Sequence, residues 1–381
     1  MELQFVFVDA IGQIDRQQWN HLAAGAGPFL DYDFLQSLEQ TDCVGQHSGW
    51  QPCHLVVYNS GAFIAAMPLY QKIHSYGEYV FDFAWAEAYQ RHGLQYYPKL
   101  ISAIPFTPVT GPRLLCDPAL TSQLWPAVTE QLKQYCLQQG LSSVHLLFTD
   151  AQTSNTLTEQ QLLSRTSVQF HWFNRGYGSF EDFVATFNSR KRKNLNKERA
   201  RLTQAGVTCR RLNGAQISEQ DMHDFYLCYR QTYLKRSGHS GYLTPEFFNL
   251  LREKMADNLL LVQAVRGDKL LASALLLFDE HHLYGRYWGA LEEVDGLHFE
   301  VCYYQGIEFC IQNNLKQFNP GTQGEHKIQR GFEPVYCYSA HWLAQPEFHQ
   351  AVAEFLQHEA AHIRHYKTQA ATLLPFRKQA E

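Results

Sequence analysis

The sequence predicts an α/β (α+β) chain made of two similar units in tandem, each a mixed, mostly antiparallel sheet with flanking helices. Three observations predict it. The chain has 381 residues, 45% of them hydrophobic and 18% charged, more than one domain of roughly 150 residues needs. Its 25 Phe, 21 Tyr and 7 Trp are spread along the whole length, which excludes a disordered or collagen-like chain. Two stretches about 200 residues apart also follow the same order of elements, the mark of an internal duplication.

The elements run as follows. His54–Leu69 reads as strand, Gly turn, strand, and Leu259–Phe278 reads the same way with Gly267-Asp268 at the turn. An aromatic strand follows each hairpin, Tyr79–Trp85 in the first half and Leu283–Trp288 in the second. Each Trp is followed eight residues later by Gly-Leu, at Gly93-Leu94 and Gly296-Leu297. A helix and a strand complete each half: Leu124–Gln139 then Ser143–Phe148, and Phe299–Asn313 then Gln317–Asn319. The first half alone carries a Pro-rich insertion over 101–123. Such repeats form a mostly antiparallel sheet with a crossover helix. Ala151–Gln161, small and polar, is the expected linker. The resulting boundaries are 1–160, 161–345 and 346–381, the last holding a helix from Glu347 to Tyr366 expected to pack on the second unit.

The net charge is −5, yet residues 189–211 hold nine Lys or Arg against the single acid Glu198, a local +8 in a chain otherwise at −13. Anion binding is therefore expected to be local. The nine Cys include no C-x2-C pair, which argues against structural zinc and against a disulfide scaffold and fits reduced thiols. The segment MELQFVFVDA lacks the charged and apolar regions of a secretory signal. No apolar run approaches the roughly 20 residues of a membrane span, and a cytoplasmic protein is expected.

His358-Glu359-Ala360-Ala361-His362 matches the H-E-x-x-H zinc motif. Against it, Val352, Phe355, Leu356, Ile363 and Tyr366 form a stripe about 100° wide, as on an ordinary core-facing helix. Thr368 stands where a third His of the longer motif would fall. A structural or solvated role is preferred, and no metal is expected.

The basic run carries more weight. Ser179 is the expected N-cap of a helix over 180–204, with Glu181 and Asp182 in its first turn. Phe183, Phe187, Leu195 and Leu202 share one sector, beside a second sector of Arg190, Lys193, Lys197 and Arg201. That second face is either solvated or a phosphate site, for a nucleotide-bearing cofactor or an RNA backbone.

Two aromatic and charged clusters are candidate substrate contacts: Asp82 and Trp85 with Tyr97 and Lys99, and Arg286 with Trp288. Most of their aromatics serve packing. Glu300 and Tyr304, four residues apart on one helix, pair a candidate base with a candidate acid, with Tyr303 as the alternative acid. Salt bridging of Glu300 is the competing reading. Gly321–Gly331, with Glu325, Lys327 and Arg330, has the composition of a functional loop, or of a solvated one. Phosphate-loop, dinucleotide and nucleophile-elbow motifs are absent from the sequence.

Several of these stretches together resemble a bacterial family of FemAB-like predicted N-acyltransferases, also called peptidoglycan biosynthesis or recognition proteins. They are Phe170-His-Trp-Phe-Asn-Arg-Gly-Tyr, Phe180-Glu-Asp-Phe, Ser189-Arg-Lys-Arg-Lys-Asn, Trp85-Ala-Glu-Ala-Tyr-Gln-Arg-His-Gly with Tyr97-Pro-Lys-Leu, Leu297-His-Phe-Glu-Val-Cys-Tyr-Tyr-Gln, and Gly324-Glu-His-Lys-Ile-Gln-Arg-Gly-Phe. The family is similar to the GNAT superfamily of N-acetyltransferases, so the resemblance implies tandem GNAT-like domains. It implies acyl-CoA, such as acetyl-CoA, or aminoacyl-tRNA as donor. The R/Q-x-x-G-x-G/A pyrophosphate turn of the superfamily is missing: the stretch from Gly289 to His298 is acidic, and that from Ala86 to Gln95 lacks the pattern too.

The expected activity is transfer of an acyl or aminoacyl group to a primary amine, such as that of a cell-wall precursor. Glu300 is the expected base and Tyr303 or Tyr304 the acid. Arg190, Lys193, Lys197 and Arg201 would hold donor phosphates, and Lys327 or Arg330 an anionic acceptor. The alternative is a non-catalytic module binding a peptidoglycan precursor or RNA.

Overall fold

In the computed structural model, which describes residues 2–322 and 324–377, the chain divides into two units. The first comprises Met1–Val168 and Tyr336–His365, the second Gln169–Val335 and Tyr366–Glu381. The expected class holds: each unit is a mixed, mostly antiparallel α/β structure, as expected of tandem GNAT-like domains.

Unit 1 holds an antiparallel sheet in the order Leu3–Val8, His54–Asn59, Ala62–Met67, Leu115–Cys116. In a second group of strands Trp50–Pro52 pairs with Tyr70–Lys72, which pairs with Lys99–Ser102. Ser143–Thr149 follows, parallel to Lys99–Ser102, and is flanked on its other side by Tyr338–Leu343. Helix Thr121–Gln138 buries Leu124, Trp125, Val128 and Leu132 against these strands in one core. In unit 2, Val207–Asn213, Leu259–Arg266, Lys269–Phe278 and His282–Ala290 form an antiparallel series. Gln317–Asn319 then pairs parallel to His282–Tyr284, and on its other side antiparallel to Trp172 and Phe173. Each unit therefore carries one parallel pair, joined by a crossover helix.

The order hairpin, strand, helix, strand is thus repeated, with one substitution. Tyr79–Trp85 is not a strand; helix Phe83–Arg91 begins there, and the third strand is Lys99–Ser102. The matching Trp spacings do not mark equivalent positions, because Trp85 is helical and Trp288 lies in a strand.

Ala151–Gln161 is not a linker. Asp150 accepts a hydrogen bond from the Thr153 N–H at 2.8 Å and starts helix Ala151–Glu159, whose Leu157 is buried in the core. The chain leaves unit 1 inside strand Leu163–Phe173 instead. The last helix, Pro346–Thr372, belongs up to His365 to unit 1 rather than unit 2. Its Val352 and Leu356 pack with Trp85, Tyr89 and Tyr96, while Phe355 is 45% exposed and lies outside the stripe.

The basic segment forms two helices, Phe180–Ala185 capped by Ser179 and Ser189–Gln204 capped by Asn188. Phe183, Phe187, Leu195 and Leu202 are all buried, as their sector requires. No helix among the described residues is long and apolar enough to cross a membrane. All nine cysteines lie among the described residues and none forms a disulfide.

Candidate functional site

The parallel pair of unit 2 is only three residues long: His282, Leu283 and Tyr284 face Gln317, Phe318 and Asn319. Beyond it His282–Ala290 continues along Lys269–Phe278 while the partner chain turns away at Pro320. Parallel strands that part at their carboxyl ends leave a crevice, the usual ligand position in α/β sheets. Here the crevice is a cavity of about 630 Å³. Gly285 to Trp288 form one wall, and Pro320, Thr322, Gly324, His326 and Lys327 contribute the other. His298, Phe299, Cys302 and Tyr303 close it from the helix, and Arg236 comes from helix Glu219–Ser237. The helix opens with the turn Leu297–Phe299 and a wide π turn over Glu300–Tyr304, and continues as Gln305–Gln312. π turns recur at functional sites.

The lining holds the basic residues Arg236, Arg286 and Lys327 and, among the described residues, no carboxylate. Two imidazoles stand among these cations. Burial, and then the charges of His326, Arg236 and Lys327, hold His298 down to about 3. Burial and the charges of Lys327 and Arg330 hold His326 down to about 4. Both rings are neutral at pH 7. The Tyr303 phenol is pushed well above its ordinary range by burial and stays protonated. It lies 2.9 Å from Nε2 of His326, a hydrogen bond in which either group can be the donor. Lys327 is brought down to about 7 by burial and by Arg286.

The sequence-chosen residues divide sharply. Tyr303, Arg286, Trp288 and Lys327 line the cavity; Glu300 and Tyr304 are absent from its lining. Glu300 is 6% exposed and accepts from Arg199 Nε at 2.9 Å, Arg199 Nη2 at 2.7 Å and Gln305 Nε2 at 2.7 Å. That geometry is the salt-bridge alternative, not a free base. Tyr304 donates to Glu198. Arg330 also binds Glu198, at 2.7 Å, and stacks 3.3 Å over the Phe299 ring. Glu325 is exposed and accepts from Tyr366 at 2.9 Å.

Arg190, Lys193, Lys197 and Arg201 are exposed, as predicted, and none lines the cavity. Arg201 pairs with Asp295 at 3.2 Å. Asp295 belongs to a second cavity of about 630 Å³ that shares Arg236, Trp288, His298 and Phe299 with the first. Its loop, where a phosphate turn would stand, presents Glu292, Glu293 and Asp295.

In unit 1 the chosen residues also meet, but in the interior. Lys99 is fully buried, 2.8 Å from Glu78 and 2.9 Å from Ser75, and forms an ion pair with Asp82. Tyr96 donates to Asp82 at 2.6 Å, and Tyr97 and Ser75 lie 2.8 Å apart. Despite burial, Lys99 holds the Asp82 carboxyl down to about 2. Trp85 packs edge-on against His341 with centroids 5.0 Å apart, and Arg165 stacks 5.1 Å over it. This is a buried interior cluster, in which Glu78 Oε1 has no hydrogen-bond partner among the described residues.

The zinc-motif stretch has His358 and His362 exposed and Glu359 held by Arg165 at 2.7 and 2.8 Å. Arg236 escaped the sequence reading, which notes His298 and His326 without giving either a role. Arg236 carries no motif. His298 and His326 lie inside the noted stretches and are told apart only by which way they face.

A family model described as FemAB-like, peptidoglycan biosynthesis/recognition, matches residues 10–378. No curated protein matches the chain. Among solved structures, FemX aligns with a TM-score of 0.56 at 11% identity, covering 93% of this chain and 100% of that one. The C-terminal domain of a putative lysylphosphatidylglycerol synthetase from Agrobacterium fabrum gives 0.55 at 10% identity, covering 90% and 96%. L-PGS from Bacillus licheniformis gives 0.50 at 12%, covering 85% and 96%. At these identities the likeness is one of fold.

Proposed function

Because the chain belongs to the FemAB-like family, we propose that it transfers an acyl or aminoacyl group to a primary amine, and that the cavity of unit 2 is where it does so. The observation that carries this reading is the trio His298, Tyr303 and His326 in a cation-lined crevice. Aminolysis of an ester or thioester needs a group that takes a proton from the amine after it attacks and one that gives a proton to the leaving oxygen or sulfur. Neutral His298, a weak base, accepts the first once the amine has added and become the acidic ammonium of the tetrahedral adduct. Tyr303 supplies the second, its O–H left for the leaving group when His326 Nε2–H donates to the phenol oxygen. As the acyl carbon passes from the donor oxygen or sulfur to the amine nitrogen, the amine loses a proton and the leaving group gains one.

Arg236 and Arg286 suit an anionic group on the acceptor, such as the carboxylate or phosphate of a peptidoglycan precursor. The donor is an acyl-CoA or an aminoacyl-tRNA. The exposed Arg190, Lys193 and Lys197, spaced along one helix face, favour the aminoacyl-tRNA, whose backbone they can meet at several points.

The test begins with native mass spectrometry of the protein with acetyl-CoA, longer acyl-CoAs and charged tRNA. With the donor that binds, Tyr303→Phe is expected to lower kcat about 10²-fold at little change in KM. Undiminished turnover in Tyr303→Phe removes the acid assignment. Binding without turnover of any donor leaves the non-catalytic module.

A further inference from the structure

Lys327 sits in the cavity wall, 2% exposed, on the short turn Glu325–Arg330. Its Nζ donates to the Gly321 carbonyl at 2.8 Å, and no carboxylate among the described residues forms an ion pair with it. Arg286 lines the same wall. A lysine that is desolvated, without an acid and beside another cation is the setting that makes an amine nucleophilic. Its pKa, brought down to about 7, agrees. As an anchor for an anion such a lysine is weak, because near neutral pH much of it carries no charge.

We propose that Lys327 is a site of covalent self-acylation, at which Nζ takes up the acyl group of a donor lodged in the cavity. The proposal rests on the acyl-transfer reading of that cavity. The Nζ lone pair attacks the acyl carbon, a C–N bond forms and the C–S or C–O bond to the carrier breaks. One Nζ proton leaves with the thiolate or alkoxide, giving an amide and a free thiol or alcohol with no redox change. The amide removes a cation from the cavity and does not pass its acyl group on.

The full-length protein is treated with a small acetyl thioester, S-acetyl-N-acetylcysteamine, between pH 6 and 9, and acetylation is followed at each lysine by peptide mass spectrometry. At pH 7 a pKa near 7 instead of about 10.4 raises the neutral fraction about 10³-fold. Lower basicity, at a Brønsted slope of about 0.5 as for thiols, returns part of this gain. Lys327 is then expected to react about 30-fold faster than exposed Lys193 or Lys197, with a rate midpoint near pH 7. Arg286→Met should move that midpoint upward. Labelling of Lys327 no faster than of Lys193, or a midpoint above pH 9 in the native chain, overturns the proposal. The labelling needs neither acceptor nor natural donor. Transfer activity with an inert Lys327 therefore overturns this proposal alone, and a fast-labelling Lys327 supports it even where no transfer is found.

Discussion

Replacing Glu300 separates a structural from a catalytic role. Both carboxylate oxygens are engaged, by two guanidinium nitrogens of Arg199 and by the Gln305 amide. Removing one partner of a buried pair costs about 3–5 kcal/mol, mostly for the charge left behind. Arg199 is 26% exposed and keeps Glu308 at 2.7 Å, so Glu300→Ala belongs at the low end, about 3 kcal/mol. Glu300→Gln, whose amide oxygen still accepts one bond, belongs near 2 kcal/mol. With a urea slope of about 1–3 kcal/mol per M, the Ala variant should unfold about 1–3 M earlier. Turnover per folded molecule should stay within about threefold of the parent, well short of the 10² or more that loss of a general base costs. A Gln variant with an unmoved urea midpoint and a hundredfold loss of turnover would refute this reasoning and restore Glu300 as the base.

Two further outcomes follow from the packing. A Cβ on Gly289 would stand 1.9 Å from the Cys228 carbonyl oxygen and 2.4 Å from the Tyr229 nitrogen, backbone atoms of the helix that carries Arg236. Gly289→Ala should therefore cost about 3 kcal/mol or more, read as a lower unfolding temperature; an unchanged one would mean that strand and helix do not touch. His145 in unit 1 and His171 in unit 2 are both held down to about 3, chiefly by burial. The unfolded chain takes up a proton at each near pH 6.5, before the folded one does, so stability should be full above pH 6.5 and fall steadily toward pH 3. By pH 5 each unit should have lost about 2 kcal/mol from its His. Urea midpoints at pH 7.5 and 5 measure the loss, and a His171→Gln variant with the same pH slope as the parent would contradict it for unit 2.

Much of the fold was legible because it rests on local patterns. The hairpins at Gly61 and Gly267 read directly, since glycine with positive φ and flanking apolar runs leave little else. The buried sector of the basic helix read from its periodicity alone. Tyr79–Trp85 misled because its alternation is real but inverted. Asp82 points inward to Lys99, while Phe81 and Phe83 are 56% and 48% exposed. Alternation specifies two faces but not which of them is the core. Ala151–Gln161 misled because its small polar residues cover an exposed helix, whose one deep anchor is Leu157. In the site, charge and spacing found Arg286, Lys327 and Tyr303, and failed at Glu300 for a physical reason. Whether a carboxylate is free depends on a partner 101 residues away, and no local spacing encodes that.

The same distinction bears on the donor. A helix N-terminus attracts phosphate through amide N–H groups that have no partner in the helix. At the head of the helix beginning with Leu297 two of these are already taken, Leu297 N–H by the Val294 carbonyl and Phe299 N–H by the Gly296 carbonyl, each at 3.1 Å. The preceding loop adds Glu292, Glu293 and Asp295, paired with cations of unit 2 at 2.7 to 3.3 Å. The side chains of Glu293 and Asp295 are 87% and 88% exposed, and pairs of that kind contribute little energy. The acids therefore do not by themselves exclude a diphosphate; what removes the usual cradle is the loss of free amides, with no glycine-rich turn to replace them. Arg190, Lys193 and Lys197, on the exposed face of helix Ser189–Gln204, form no ion pair with an acid among the described residues. Successive turns of a helix repeat each 5.4 Å, so such a face meets an extended polyanion at several points but a lone diphosphate at one or two. A long nucleic-acid carrier uses that geometry fully, and a compact coenzyme does not.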